Sequence, residues 1–493
     1  MTTSVAVLSA EQQVRAHETA LAILAHVGVR VDSERARRIL AGAGALVRAS
    51  DARVTFPRDL VEHALSLAPR TFTLGGRRPG WSHAVGEGAC TLVVDGEAMA
   101  VWDAVAQERR PPTIADWEAA TRVCDALDEV GVYWRTTTWD EEGAAGAVSS
   151  WRRAFGEFGK HVQDAALDAD EGRWLLEVLQ VVFGGRDEIA ARRPFSFLLC
   201  PHTPLVLEGP YTDAYLEVAG WGIPVAAMPM PIMGLSSPSG LLATVALGHA
   251  EVLATLCLVQ AAEPATPFIS APALAVMQPR SGRYGGGAVE HALLGVCSTE
   301  MARHVGLPVE ASTGGTDHHV PGIQAAYERA LNWSLPALAW PDLLVGPGML
   351  GGSTILSLEQ LVLDVEVYRR CCRLRSGVAS APSGDLDGLV DLLARVGPGG
   401  DFLAEPTTRD ALRAGEWLTG SPGVHDGFER WDEAGRPDIL AEARERIEAI
   451  LASRVPDPLP EDVDRELARI EARARGGGVP RRARPRRPTS REE

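Results

Sequence analysis

The chain has 493 residues, with 65 acidic and 48 basic side chains, a formal net charge of −17, and 46% hydrophobic and 23% charged residues. That composition at this length supports a large hydrophobic core and excludes a disordered, collagen-like or disulfide-scaffold chain. The acidic balance speaks against nucleic acid as a general partner, because phosphate binding needs a basic face.

Seven cysteines without a C-x-x-C spacing do not make a disulfide framework and fit a reduced, cytoplasmic interior. The start, MTTSVAVLSAEQQ, lacks the basic region and apolar core of a secretory signal. The uncharged stretch from Ile223 to Leu247 is interrupted by Pro224, Pro229, Pro231 and Pro238. It reads as a buried strand, loop and helix and not as a membrane span.

In chain order, Gln13 to Val27 places Val14, Leu21, Leu24 and Val27 near one helical face, and Gly28 ends the run. Ser33 is placed to cap the helix carrying Ile39 and Leu40. Pro57 opens another helix with Leu60, Val61, Ala64 and Leu65 inward, stopped by Pro69. Thr71 to Val105 is Gly-rich with short alternating runs such as TLVVD (91–95), a small β-element. Thr113 and Asp116 form a capping box for a helix to about Leu127.

From Gly131 the texture becomes β-α repetition. Strands are expected near Val132–Thr138, Lys160–Ala165, Phe195–Pro201, Ile223–Met230, Pro267–Ala273, Leu307–Thr313 and Leu343–Val345, with helices such as Leu241–Gln260, Val289–His304, Gln324–Trp333 and Leu358–Cys372 between them. Seven strands and one missed fit a (β/α)8 TIM barrel better than a doubly wound sheet. No dinucleotide fingerprint or P-loop follows any strand. The domain expectation is an N-terminal helical and β extension (1–130), a barrel core (131–376), a C-terminal helical cap (377–475) whose last helix lies near Ile439 to Leu451, and a solvated Arg-rich tail (476–493).

Barrel chemistry sits where strands end and loops begin. That places Trp134, Arg135, His161, His202, Met228, Met230 and the loop Gly314–Gly322 on the functional face. In that loop Asp317, His318 and His319 could bind metal, act as acid and base, contact substrate or be plain surface polarity. Without H-x-x-x-H or C-x-x-C spacing they make a weak metal signal, and no metal is assigned. Asp317 to Gly322 also matches D-x-H-x-x-G, the motif that supplies histidine to cobalt in cobalamin-binding domains, but the downstream S-x-L at the required offset is missing. Aromatic faces suit a quaternary ammonium ion; Trp134, Trp139, Tyr284, Tyr327, Trp333 and Trp340 are the available rings, with Trp134 at a strand end the best placed. Arg135 beside it could hold a substrate carboxylate. Lys160 begins its strand, which argues against a Schiff-base role.

A series of segments then resembles one family, the corrinoid-dependent trimethylamine methyltransferases. They are LVEHALSLAP (60–69), MPMPIMGLSSP (228–238), EVLA (251–254), TDHHVPGIQAAYE (316–328), LSLEQLVLDVEVY (356–368) and FERWDEAGRPDIL (428–440), in order between about residues 11 and 455. The resemblance implies a TIM barrel that moves a methyl group from an amine to the Co(I) of a corrinoid (cobalamin) carried by a separate partner protein. The trimethylamine enzymes carry a pyrrolysine in the central loop region, whereas residues 314–328 here are all standard. A quaternary ammonium needs no such activation, because its leaving group is already a neutral amine. The chain therefore resembles the pyrrolysine-free branch that acts on glycine betaine and similar compounds.

The resemblance carries Asp317, His318 and Gln324 as catalytic positions of the central motif. Trp134, Arg135, His202, Tyr327 and Trp340 are the substrate-binding expectation, and the family suggests a homo-oligomer that uses neither nucleic acid nor membrane. The segment PDLLVGPGMLGGS (341–353) departs from the family pattern. That departure leaves two alternatives: a barrel acting on another cationic metabolite without corrinoid, and a binding protein that keeps an ammonium cage without transfer.

Overall fold

The computed structural model describes residues 4–137, 143–378, 386–453 and 458–480. Trp139 and the six arginines between Arg481 and Arg491 lie outside them.

Eight short parallel strands form the centre: β1 (Thr91–Val93), β2 (Val130–Tyr133), β3 (His161–Asp164), β4 (Phe195–Leu199), β5 (Val225–Ala227), β6 (Phe268–Ser270), β7 (Glu310–Ser312) and β8 (Leu343–Val345). The ladder runs from β6 back through β5, β4, β3, β2 and β1 to β8 and β7. A parallel bridge between Ser270 and Val309 closes it. Each strand is followed by a helix, from Ile114–Ala126 after β1 to Leu358–Arg375 after β8. This is the expected (β/α)8 barrel.

The eighth strand is β1, inside the TLVVD run that the sequence reading placed in the N-terminal extension. The barrel thus begins forty residues before Gly131. Thr91–Val93 pairs on one side with Leu343–Val345 and on the other with β2. All three residues are buried, so the strand offers only a short apolar run, which periodicity cannot distinguish from a hairpin strand.

The hairpin just upstream, Phe72–Gly75 with Ser82–Val85, plugs the N-terminal end of the barrel. Its Phe72, Leu74 and Val85 pack in one cluster with the interior residues Val93, Val132, Leu198, Ala226, Ile269 and Val345. The plug needs glycine at 76, where a Cβ would lie 2.6 Å from the Lys160 backbone carbon. At this closed end the Lys160 ammonium donates to the Leu127 and Val130 carbonyls, both at 2.7 Å, so the only lysine is structural.

The capping expectations hold: Ser33 accepts from the Ala36 amide, and Thr113 with Asp116 forms the capping box. The first helix, Ala10–Ala22, buries Ala16, Ala20 and Leu21, followed by Leu24 in a π-helical turn, while Val14 and Val27 are exposed. Its small-residue face lets it pack on Leu241–Ala262. That long helix has the length and hydropathy of a membrane span, but 89% of its most apolar window is buried within the fold.

Helix Ile439–Ser453 is not the last, because Glu461–Arg475 follows and packs on Gly143–Glu157 and Ala169–Phe183. Its sequence is mostly charged, and only Leu467, Ile470 and Glu471 are buried.

Candidate functional site

The C-terminal ends of β2 to β5 open into a cavity of about 770 Å3, within the size range of small-molecule sites. Trp134 and Arg135 follow β2, Asp164 ends β3, and Cys200 and His202 follow β4. Glu97 reaches over from the loop after β1, Trp151 and Glu171 come from the helices after β2 and β3, and Tyr211 from the helix after β4. The lining therefore joins three aromatic rings to several carboxylates, with Arg135 among them.

Asp164 is the buried centre of this group. Its Oδ2 accepts from Trp151 Nε1 at 2.9 Å and its Oδ1 from the Ala165 amide at 2.8 Å. Burial pushes its carboxyl above the usual carboxylate range, and the nearby Arg135 guanidinium works against that rise. Burial likewise raises Glu171, whose Oε2 accepts from the Leu167 amide at 2.8 Å. Arg135 Nη2 donates to Glu97 Oε1 at 2.5 Å, while its buried Nε has no partner among the described residues. Gly96 makes room here: a Cβ would sit 2.9 Å from the Trp134 ring and 2.8 Å from the Arg135 carbonyl.

The Cys200 thiol is pushed up to about 12 by burial, which argues against a thiolate nucleophile in the cavity. His202 at the rim is two-thirds exposed and 3.8 Å from Glu208.

Trp134, Arg135, His202 and Met230 are thus gathered where the sequence placed them. The other expected residues are not. His161 opens β3 and sits inside the barrel toward the plug, its Nδ1 2.9 Å from the Gly75 carbonyl. Asp317, His318 and Gln324 belong to a separate arrangement after β7, organised by Glu328. That carboxylate accepts from Thr316 Oγ1, the Asp317 amide and Gln324 Nε2. Asp317 Oδ1 accepts from the Gly287 amide, and His318 Nδ1 lies 2.8 Å from the Val320 carbonyl. None of the three lines the cavity.

Tyr327 is 72% exposed on the helix that follows. Trp340 precedes β8 and so lies at the barrel's opposite end. There its Nε1 donates to the Gly88 carbonyl, Tyr368 stacks on it, and the Arg375 guanidinium lies 4.1 Å from the ring centroid.

Sequence reasoning missed Asp164, Trp151 and Tyr211. Asp164 had a signal, a carboxylate closing a predicted strand. Trp151 and Tyr211 lie within helices and read as packing residues.

The family model for trimethylamine methyltransferase (MTTB) matches residues 1–478. The chain belongs to the trimethylamine methyltransferase family. Among its relatives, the trimethylamine methyltransferase MttB of Desulfitobacterium hafniense (strain DSM 10664 / DCB-2) is 28% identical over 464 residues, covering 94% of this chain and 92% of that protein. The glycine betaine methyltransferase of D. hafniense (strain Y51) is 26% identical over 465 residues, covering 94% and 95%. The crystal structure of the Methanosarcina barkeri monomethylamine methyltransferase (MtmB) aligns over 89% of this chain and 92% of its own, with a TM-score of 0.46 and 11% identity.

Proposed function

We propose that this member of the family takes a methyl group from a quaternary ammonium compound of the glycine betaine type and delivers it to the Co(I) corrinoid of a separate protein docked over the barrel mouth. The observation that carries this reading is the cavity itself, where Trp134, Trp151 and Tyr211 stand beside Asp164, Glu97 and Glu171. Aromatic faces attract a quaternary cation by about 0.5–2 kcal/mol each, and carboxylates add the charge such a cation needs on leaving water. Arg135, which lines the cavity, gives a zwitterionic substrate a cationic partner for its carboxylate. A glycine betaine methyltransferase among the relatives agrees with that substrate class.

This chain's D-x-H-x-x-G stretch is a poor fit to a resident corrinoid. His319 lies exposed on the loop after β7 of a barrel, and the S-x-L that accompanies the motif is missing at the required offset. The cofactor is therefore assigned to the partner. Carried by the partner, a Co(I) corrinoid would supply the electron pair for the new bond to the methyl carbon. The N–CH3 electrons stay on nitrogen, which leaves as a neutral tertiary amine, so the chain need not donate a proton. The protein's own task is to bind the cation, turn one N–CH3 bond outward and keep water from the site. Losing the positive charge weakens the hold of the carboxylates and favours amine release.

The reaction is assigned to the cytoplasm, as the cysteine usage suggests, and it requires neither nucleic acid nor membrane. A homo-oligomer is also proposed. Helices Leu389–Val396, Pro406–Arg413 and Phe428–Glu433 bury none of their residues, and Val390, Leu403 and Phe428 are exposed with them. Exposed apolar groups in such numbers favour burial against another copy. The test of function is incubation with Co(I) cobalamin and a panel of quaternary amines. Methylcobalamin with loss of one methyl from one amine supports transfer, whereas amine breakdown without corrinoid points to other chemistry.

A further inference from the structure

Below the cavity, a polar chain crosses the apolar barrel interior. His161 Nε2 lies 3.0 Å from Ser196 Oγ, Gln163 Nε2 donates to Ser196 Oγ at 3.2 Å, and the same nitrogen donates to Glu310 Oε2 at 2.9 Å. Gln163 and Glu310 are both buried. The amide oxygen of Gln163, Oε1, and the second carboxyl oxygen of Glu310, Oε1, have no hydrogen-bond partner among the described residues. Two buried acceptors are left without a donor.

An ionised Glu310 would also be left without a countercharge. The titratable groups nearest along this network are His161 from β3, linked through Ser196 and Gln163, and the Cys200 thiol from β4. His161 is held neutral, its pKa lowered to about 4 by burial, and Cys200 holds its proton. The Lys160 ammonium is engaged by two carbonyls at the closed end. An unpaired buried carboxylate costs several kcal/mol, and such a group ordinarily becomes neutral instead.

One proton resolves all of this. We propose that Glu310 is a protonated positioning residue, its Oε1–H donating to Gln163 Oε1 in a cyclic acid–amide pair, and that a cation entering the cavity above is coupled to release of that proton. The planar amide and acid each offer one donor and one acceptor side by side, so with the Gln163 Nε2–Glu310 Oε2 bond in place a proton on Oε1 closes the pair. Burial pushes the Glu310 carboxyl up to about 7, and donating its proton to an amide oxygen carries it further.

The coupling follows from layer spacing. Ser196 and Glu310 both accept from the Gln163 amide, and Leu198, two residues on from Ser196, lines the cavity. Two residues along a strand span roughly 7 Å, which puts a seated cation roughly 10 Å from Glu310. At an effective dielectric near 20, opposite charges that far apart shift an equilibrium about tenfold. Cation affinity should therefore rise about tenfold as Glu310 ionises, with a proton released on binding.

The proposal rests on reading the cavity as a cation site, and the test separates the two claims. Tetramethylammonium, which does not titrate, is bound to the full chain by calorimetry between pH 6.5 and 9, in two buffers of different ionisation enthalpy. The wild type should gain about tenfold in affinity across that range and release protons. Glu310→Gln, whose amide can replace the acid in the cyclic pair, should show neither effect. Equal pH dependence in the variant, or none in the wild type, overturns the proton on Glu310. Failure of the ion to bind at any pH counts instead against the cation site.

If the variant does not fold, the wild-type difference infrared spectrum decides. A buried protonated-carboxyl band present near neutral pH and lost by pH 9 supports the pair, and its absence overturns it. Wild-type binding that tracks the choice of sodium or potassium and not pH would mean a metal ion fills the space, and would also overturn it.

Discussion

Asp164→Asn removes the charge at the centre of the cavity while keeping its shape. Asp164 uses both oxygens, one for Trp151 Nε1 and one for the Ala165 amide. Asparagine has a single oxygen, so one of these bonds is lost, at about 1 kcal/mol of fold stability. The larger effect falls on the ligand. A cation roughly 5 Å from the carboxylate gains about 3 kcal/mol at an effective dielectric of 20, and the open mouth and neighbouring Arg135 reduce that to about 1.5–3 kcal/mol. Tetramethylammonium and glycine betaine should therefore bind about 10- to 100-fold more weakly. Because burial raises the Asp164 pKa, the wild type should lose affinity on acidification above the usual carboxylate range, and the variant should lack that component. Calorimetry across pH 4.5–8 measures both, with thermal melts confirming the fold. A folded variant that binds either ligand within twofold of wild type would refute the electrostatic reasoning.

Gly96→Ala should force the Trp134 ring and Arg135 backbone outward, weakening cation binding several-fold and shifting tryptophan fluorescence; unchanged binding would show that the close approach is unimportant. Trp340→Ala should cost about 1–3 kcal/mol of stability through lost stacking and Arg375 contact, yet leave cation affinity unchanged, and a loss of affinity would contradict its placement at the closed end. Glu251, which holds the Thr203–Leu205 turn, is pushed from 4.5 to about 7 by burial. Its raised pKa means the folded state binds the proton more tightly, so stability present below pH 4.5 falls by about 3 kcal/mol as pH rises through 7. Urea denaturation at pH 5 and 8 should show Glu251→Gln losing that part of the pH dependence, and an identical slope would exclude Glu251 as its source.

The barrel was legible because strands buried on both faces alternate with long apolar helices, and the caps at Ser33 and Thr113 follow local chemistry that tertiary contacts do not override. β1 was obscured by the Gly-rich plug hairpin before it, even though its helix, Ile114–Ala126, was recognised. Helix Glu461–Arg475 escaped because ion pairs, Arg152 with Asp464 and Arg473 with Glu177, supplement its thin apolar stripe. Trp134 and Trp340 both flank strands, but one follows β2 and the other precedes β8, and that order decides which end of the barrel each occupies. Asp317, His318 and Gln324 stood out as polar residues in a motif. Only the three-dimensional arrangement separates their Glu328-centred cluster from the cavity and brings Trp151 and Tyr211 to Asp164.

The central claim is methyl transfer out of the cation cavity, and the most direct measurement is single-turnover incubation of the full chain with Co(I) cobalamin and individual quaternary amines. Absorbance would follow the cobalt and mass spectrometry the amine. The account predicts methylcobalamin in step with loss of one methyl from one amine, slowed in Asp164→Asn. If no amine loses a methyl group with free cobalamin or with a corrinoid protein from the same genome, while calorimetry still detects a bound amine, the transferase assignment is contradicted and the chain is a binding protein.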